Sequence, residues 1–399
     1  MHELVRANQR RTVILVAFMA FLLMAVGYAL AELAVPGAGR VGIVLALLVW
    51  GIQAVISYFG GRRILLAMSG ARKIEKKDHP ILYNIVEEMC VASGTSTVPD
   101  IYIIDDDALN AFATGRDPEH SAVAVTAGLL KELDRDELQG VLAHEIAHVR
   151  NRDVLYMTML GVMLMAILIL AQIGIRMRFV SGTRTSRSSG SGGGALVIIA
   201  LLLMIIAPLL ARLVYLAVSR RREYLADASG ALYTRYPEGL ARALEKLGGS
   251  RTPMRKASAA VAPMYIVAPL RAAAEKMSVL GSTHPPIGER VRILRSMGGS
   301  AGVQSYDQAF RKVTGRPVGV VPFTAMREIA DVPVVQPPPL PMATAPFMHV
   351  DRVRQTTDIL WALNDYIFIT CLCETKLKIP PAYRGKKIEC PHCKRVHEV

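Results

Sequence analysis

Two long apolar runs open the chain. From Thr12 to Ala31 no residue is charged, with Arg10, Arg11 and Glu32 at the ends, and after a Pro36-Gly37-Ala38-Gly39 turn a second uncharged run extends from Val41 to Gly61. About 20 apolar residues in a helix span the roughly 30 Å of a bilayer's hydrocarbon, so the pair predicts a transmembrane hairpin. A cleaved signal peptide would have a shorter apolar centre and no second run directly behind it. The pattern then turns helical from His79 to Gly94 (Ile81, Ile85, Val86, Met89, Val91), where the lone Cys90 falls on the apolar stripe as a core residue. Strand-like runs at 100–105, 108–114 and 121–126 predict a small sheet. Asp134 with Glu137 three residues later is a capping-box pattern, predicting a helix through Asn151 or beyond. Apolar stretches from Val154 to Ile175 and from Ala195 to Ser219, the second interrupted by Arg212, predict a third and fourth span around a Ser-, Gly- and Arg-rich loop. Helical stretches at 239–247, 270–277 and 289–297 follow, and Val335 to Pro341 forms a stiff Pro-rich linker that marks a domain boundary.

Composition supports a membrane protein. Of 399 residues 52% are hydrophobic, and mean hydropathy is +0.33. The formal charge of +14 suits either nucleic acid or anionic lipid. Its basic residues cluster beside the apolar runs (Arg62, Arg63, Arg72, Lys73, Lys76, Lys77, and Arg220 to Arg222), which favours lipid, and no nucleic-acid partner is expected. Basic residues before the hairpin and after it, against Arg40 alone in its turn, place the N-terminus and the chain from Arg62 onward in the cytosol. Arg176, Arg178, Arg184 and Arg187 between spans three and four run against that trend.

The chemistry centres on His144-Glu145-Ile146-Ala147-His148. Residues four apart share a helix face, so His144 and His148 can offer imidazole nitrogens to one metal ion, and Glu145 is placed to act as general base on a water there. Glu223, four before Asp227 in a second helical segment, could complete a His2Glu zinc site with an open position. Asp227 could then accept the N–H of a ligating histidine. The competing reading pairs both carboxylates with Arg220 to Arg222 on a solvated face.

With these motifs in that order the chain resembles the HtpX-type membrane zinc metalloproteases. The matching stretches are Leu109 to Gly115, His144 to Asp153, Ser219 to Asp227 and Thr283 to Arg290, so the resemblance covers roughly the first three hundred residues. It implies His144, His148 and Glu223 as zinc ligands and Glu145 as catalytic base. It also implies a substrate-binding edge strand at Asn110, Ala111, Phe112 and Ala113, where a peptide would add as a further strand. His284 would lie near the active site, either donating to the oxyanion or fixing the Pro285-Pro286 turn. Arg290 would pair with a site carboxylate or, as the more ordinary expectation, form a surface salt bridge. Damaged or misassembled membrane proteins are the implied substrates, at the cytoplasmic (inner) membrane. Prenyl-protein (CAAX) proteases share the zinc motif but need a larger intramembrane chamber. A non-catalytic scaffold recruiting partners through its C-terminus is the rival of another class.

Beyond the linker, Cys371-Leu372-Cys373 and Cys390-Pro391-His392-Cys393 suit a closed structural zinc site, with Lys378 to Pro381 and Lys386 to Ile388 as strands of one hairpin. His392 and His397 are expected to be bystanders, and recruitment of protein or substrate is the expected role. The expected architecture is α+β and mainly helical, with four membrane spans, a cytosolic zincin-like metalloprotease domain carrying a small sheet, and a small C-terminal zinc ribbon. Its parts are a two-span anchor (1–61), the protease domain in two pieces (62–153 and 220–334) around spans three and four (154–219), the linker (335–350) and the ribbon (351–399).

Overall fold

The structure is a computed structural model that describes residues 2–155, 157–159, 220–255, 264–267, 284–320, 331–336 and 345–399. Most of the expected third and fourth spans, the 270–277 helix and most of the Pro-rich linker lie outside the described residues.

Helix α1 (His2–Ala34) and helix α2 (Gly39–Met68) form the predicted hairpin. Glu32, which ends the first apolar run, accepts from the backbone N–H groups of Gly37 and Gly39 at 2.9 and 3.0 Å and so closes the turn. The helices meet at small residues: a Cβ on Gly42 would lie 2.2 Å from the Gly27 carbonyl oxygen, the close backbone approach on which membrane helices rely. Val41, Val44, Leu45, Leu48, Ile52, Val55 and Phe59 project outward as an apolar surface. By length and composition α2 is the one described helix able to cross a bilayer; within α1 the apolar stretch Val16–Glu32 is shorter. Helix α2 runs past Gly61, and its buried Leu65 and Leu66 pack against the sheet. The apolar hairpin and the sheet are therefore joined by one continuous helix.

The sheet has four strands in the order β1–β2–β4–β3: β1 (Ala71–Lys73), β2 (Asp100–Ile104), β3 (Ala111–Gly115) and β4 (Ser121–Thr126). Strands β2 and β4 are parallel, and β3 pairs antiparallel with β4 on the outer edge, Phe112 opposite Ala124. One face (Ile101, Ile103, Val123, Val125) packs on helix α3 (Pro80–Ser93), α4 (Ala127–Glu132) and α5 (Arg135–Arg150); the other (Ile104, Phe112, Ala124) meets Leu65, Leu66 and Tyr265. With both faces covered, β4 is buried throughout.

Helix α5 begins at the expected capping box, Asp134 and Glu137 bonding each other's backbone N–H at 2.9 and 2.8 Å. Its end differs from expectation. The helix stops at Arg150, Arg152 turns left-handed at φ 56°, and helix resumes at 153. Helix α6 (220–234), α7 (Pro237–Gly249), α8 (Ile287–Arg295) and α9 (Val303–Thr314) surround α5, with β5 (Ser300–Ala301) and β6 (Val332–Pro333) as a short ladder.

The C-terminal stretch departs further from the sequence reading. Residues 351–363, assigned there to the ribbon, belong to helix α10 (Ala345–Leu363), whose Ile359 joins the main core. Strands β7 (Ile367–Thr370) and β8 (Lys376–Ile379) form one antiparallel hairpin, and β9 (Lys387–Glu389) and β10 (Val396–Glu398) another. The two predicted strands thus pair with nearer neighbours rather than with each other, because each cysteine pair occupies the turn of its own hairpin.

Candidate active site

Helix α5 presents His144 and His148 one turn apart, their Nε2 atoms 3.2 Å from each other. Glu223, brought in by α6, places Oε2 at 3.8 Å from His144 Nε2 and Oε1 at 3.5 Å from His148 Nε2. A small residue lets α6 approach α5 this closely: a Cβ on Gly230 would lie 3.2 Å from the His144 backbone nitrogen.

Carboxylates hold the outer nitrogens of both histidines. Asp227 Oδ1 is 2.9 Å from His144 Nδ1, and Asp153 Oδ2 is 3.3 Å from His148 Nδ1. With Nδ1–H donating outward, both Nε2 atoms present lone pairs to each other and to the Glu223 carboxylate. Three electron-pair donors facing one another repel unless a cation lies between them. Bonds of 2.0–2.1 Å to tetrahedral zinc require donor separations of about 3.3 Å, and the observed 3.2, 3.5 and 3.8 Å meet this to within half an ångström. The donor set fits zinc.

Asp227 is itself fixed. Arg290 donates to it through Nε at 2.8 Å and Nη2 at 2.6 Å, and Tyr306 Oη donates at 3.3 Å. Arg290 is fully buried, which overturns the expected surface salt bridge; the guanidinium also lies 3.6 Å from Glu223. His284 Nδ1 stands 3.0 Å from Glu223 Oε2, so the ring meets the site at its third donor.

Burial dominates the electrostatics here. It pushes His144 down. Burial acts the same way on His148, but the Asp153 hydrogen bond and the Glu223 charge outweigh it and leave this histidine raised. It would push Glu223 up, yet His284, His148 and His144 hold that carboxyl well below its usual range. For Glu145 burial outweighs the pull of His148, Arg290 and the Ala113 N–H and raises it to about 7. The Ala113 backbone N–H bonds its carboxyl, and Oε2 has no hydrogen-bond partner among the described residues. Glu145 lines a narrow cleft with Ala113, His148, Val154, Met157, Arg222, Glu223 and Met264.

The expected substrate strand is an edge strand but a shortened one. Asn110 precedes β3 and spends its side chain on Val267: Nδ2 donates to the carbonyl at 2.8 Å and Oδ1 accepts from the N–H at 3.3 Å. The Ala111 carbonyl accepts from Ile266 N–H at 3.0 Å, and Phe112 is buried edge-on against Tyr265. Of the four residues expected to meet substrate, Ala113 reaches the cleft. Asp153, Arg222, Tyr306, Met157 and Met264 were not predicted as site residues. Asp153 lies just past the left-handed turn at Arg152, and Tyr306 far along the chain, and neither position carried a signal in the sequence.

Residues 76–298 match peptidase family M48. The chain belongs to that family. A protease HtpX homolog of Dictyoglomus turgidum is 44% identical over 300 residues, covering 74% of this chain and 95% of that protein. Another from Streptococcus uberis is 42% identical over 300 residues, covering 74% and 100%. Among solved structures, S. mikatae Ste24p aligns over 74% of this chain and 67% of its own at 19% identity and a TM-score of 0.38. The M48 match together with these HtpX homologs makes the chain an HtpX-type membrane zinc metalloprotease, a hydrolase. About a quarter of the chain lies outside the match to these HtpX homologs.

In the C-terminal quarter the four cysteines converge. Cys371 and Cys393 sulfurs are 3.3 Å apart, Cys373 and Cys390 3.7 Å, and all four lie within 4.8 Å of one another. Tetrahedral zinc with 2.3 Å bonds to sulfur requires about 3.8 Å. His397, expected to be a bystander, places Nε2 3.2 Å from Cys371 Sγ.

Proposed function

We propose that the chain is an endopeptidase that cuts unfolded or misassembled membrane proteins, with His144, His148 and Glu223 holding zinc and Glu145 as general base. The observation that carries this is the convergence of the three donor atoms beside the buried Glu145 carboxyl. Zinc, when bound, polarises the scissile carbonyl and acidifies the attacking water. Glu145 takes the water's proton and returns it to the leaving amine, a role its buried carboxyl beside the three donors is placed to fill. Asp227 and Asp153 keep the histidines in one tautomer, and Arg290 and Tyr306 keep Asp227 in place. His284 positions Glu223. Ala113 supplies the edge-strand backbone for an extended peptide, with Met157, Val154 and Met264 as apolar walls. A site reading main chain and apolar side chains fits unfolded substrates of varied sequence.

The basic flanks of the α1–α2 hairpin support a cytoplasmic-membrane protein with the catalytic domain and both termini in the cytosol. The four cysteines form a second, structural zinc site.

The test is cleavage of casein by detergent-purified protein, with a prenylated peptide in parallel, against Glu145→Gln at equal zinc content. Casein cleavage by wild type and not by the variant is expected. Equal cleavage by both would remove Glu145 from the mechanism, and cleavage of the prenylated peptide alone would replace the substrate class.

A further inference from the structure

Helix α10 packs on the catalytic domain beside α4 and the start of α3. Thr356, fully buried, places Oγ1 3.2 Å from Nε2 of His79. His79 is the N-cap of α3, its Nδ1 accepting from Leu82 N–H at 3.2 Å. Ile359 is buried in the main core, Leu360 and Leu363 pack against it, and α10 lies along α4, the short helix that leads into α5. At the end of α10, Asn364 accepts from Arg72 of β1 at 3.4 Å and donates to Asp105 at 3.3 Å.

The first hairpin, β7–β8, grips the opposite side of the same helix. Asp358 takes Lys376 Nζ and Lys378 Nζ at 2.8 Å each, both from β8. Lys378 also lies 5.9 Å from the centre of the Trp361 ring, and Trp361 stacks edge-on with Tyr366 at 4.3 Å. The hairpins have little core of their own: Leu377 and Ile379 with Cys371 and Cys390 are its buried members. Strands this short need the metal to fold.

We propose that the four-cysteine site is a metal-dependent brace for the catalytic domain: zinc ties the two hairpins together, the first of them fixes α10 through Asp358, and α10 closes the core over α3 and α4. This extends the structural-zinc reading and is independent of the catalytic mechanism. It assigns the C-terminal quarter a partner within the chain, where recruitment of an outside protein was expected.

The test uses the full-length protein in detergent, with zinc content and backbone hydrogen exchange as readouts. Wild type should hold two zinc ions per chain, and Glu223→Gln should lower occupancy of the first site alone. Cys390→Ser/Cys393→Ser should hold one and lose protection over residues 80–93 and 127–132 by about tenfold or more, the signature of local opening. Ile359→Asp should hold two and lose protection over the same residues, which separates docking from metal binding. Loss of a zinc ion with unchanged protection of α3 and α4 would overturn the brace, as would a wild-type chain whose cysteines hold no zinc.

Discussion

The two donor clusters of this chain are built on opposite principles. His144, His148 and Glu223 come from helices far apart in sequence, and buried groups orient each of them: Asp227 and Asp153 the histidines, His284 the glutamate, and Arg290 and Tyr306 the aspartate behind them. The four cysteines come from two neighbouring hairpins, with Cys393 exposed and His397 beside one sulfur. In the first cluster the fold arranges the donors before a metal arrives; in the second, under the proposed brace, the metal would arrange the fold. A preorganised site keeps its shape on losing its ion, whereas a metal-made one loses its structure.

Chelation should show the largest difference. Structural zinc sites carry on the order of 10 kcal/mol of folding free energy, so a strong chelator should abolish hydrogen-exchange protection over 366–399 while α5 keeps its own. Equal loss in both regions would erase the distinction.

Next in size is Arg290→Leu. Removing one partner of a buried ion pair costs about 3–5 kcal/mol, and Asp227 would be left charged in a buried site. Calorimetry of the metal-free protein should show a clearly lowered Tm; an unchanged Tm would mean that Asp227 is held by other groups.

A third prediction concerns pH. The folded carboxyl of Glu145, at about 7, lies above the ordinary 4.5, so the folded state binds this proton more tightly. That contribution is full below pH 4.5 and is lost as pH rises through 7. Metal-free Glu145→Gln should therefore exceed wild type by about 3 kcal/mol at pH 8 and match it near pH 4. Denaturant unfolding at the two pH values measures this, and a pH-independent difference would contradict it.

The smallest effect is expected at Asp153→Asn, which keeps the shape but weakens the acceptor for His148. Partners of this kind are worth about 10- to 100-fold in metal affinity, measurable by competition with a chromogenic chelator. No change would leave His148 oriented by its helix alone.

These comparisons also explain what was legible in the sequence. His144, Glu145 and His148 stand out because helix periodicity alone aligns them, and Glu223 and Asp227 repeat the same spacing. Asp153 did not stand out because its position depends on the left-handed turn at Arg152, and Asn151-Arg152 has no glycine or proline to announce a break. Arg290 lies among Glu289, Arg292 and Arg295, a pattern that resembles a solvated face; only the packing of α8 shows that it points inward. Strand β1 is three residues long and two-thirds basic, so it passed for a membrane flank. Helix α10 was hidden behind the Pro-rich stretch, which suggested a separate module, and its core-facing Ile359, Leu360 and Leu363 are sparse among polar neighbours. Asn110 was legible as part of a motif but not in its task, since its bonds are to Val267, far along the chain.

The most direct measurement is anomalous diffraction at the zinc edge from crystals of the full-length protein. The account predicts one peak about 2.0–2.1 Å from Nε2 of His144 and of His148 and a Glu223 oxygen, with Glu145 outside bonding distance, and a second among the four sulfurs at about 2.3 Å. A first peak bonded to Glu145 or His284 in place of Glu223 would contradict the assignment of ligands and base.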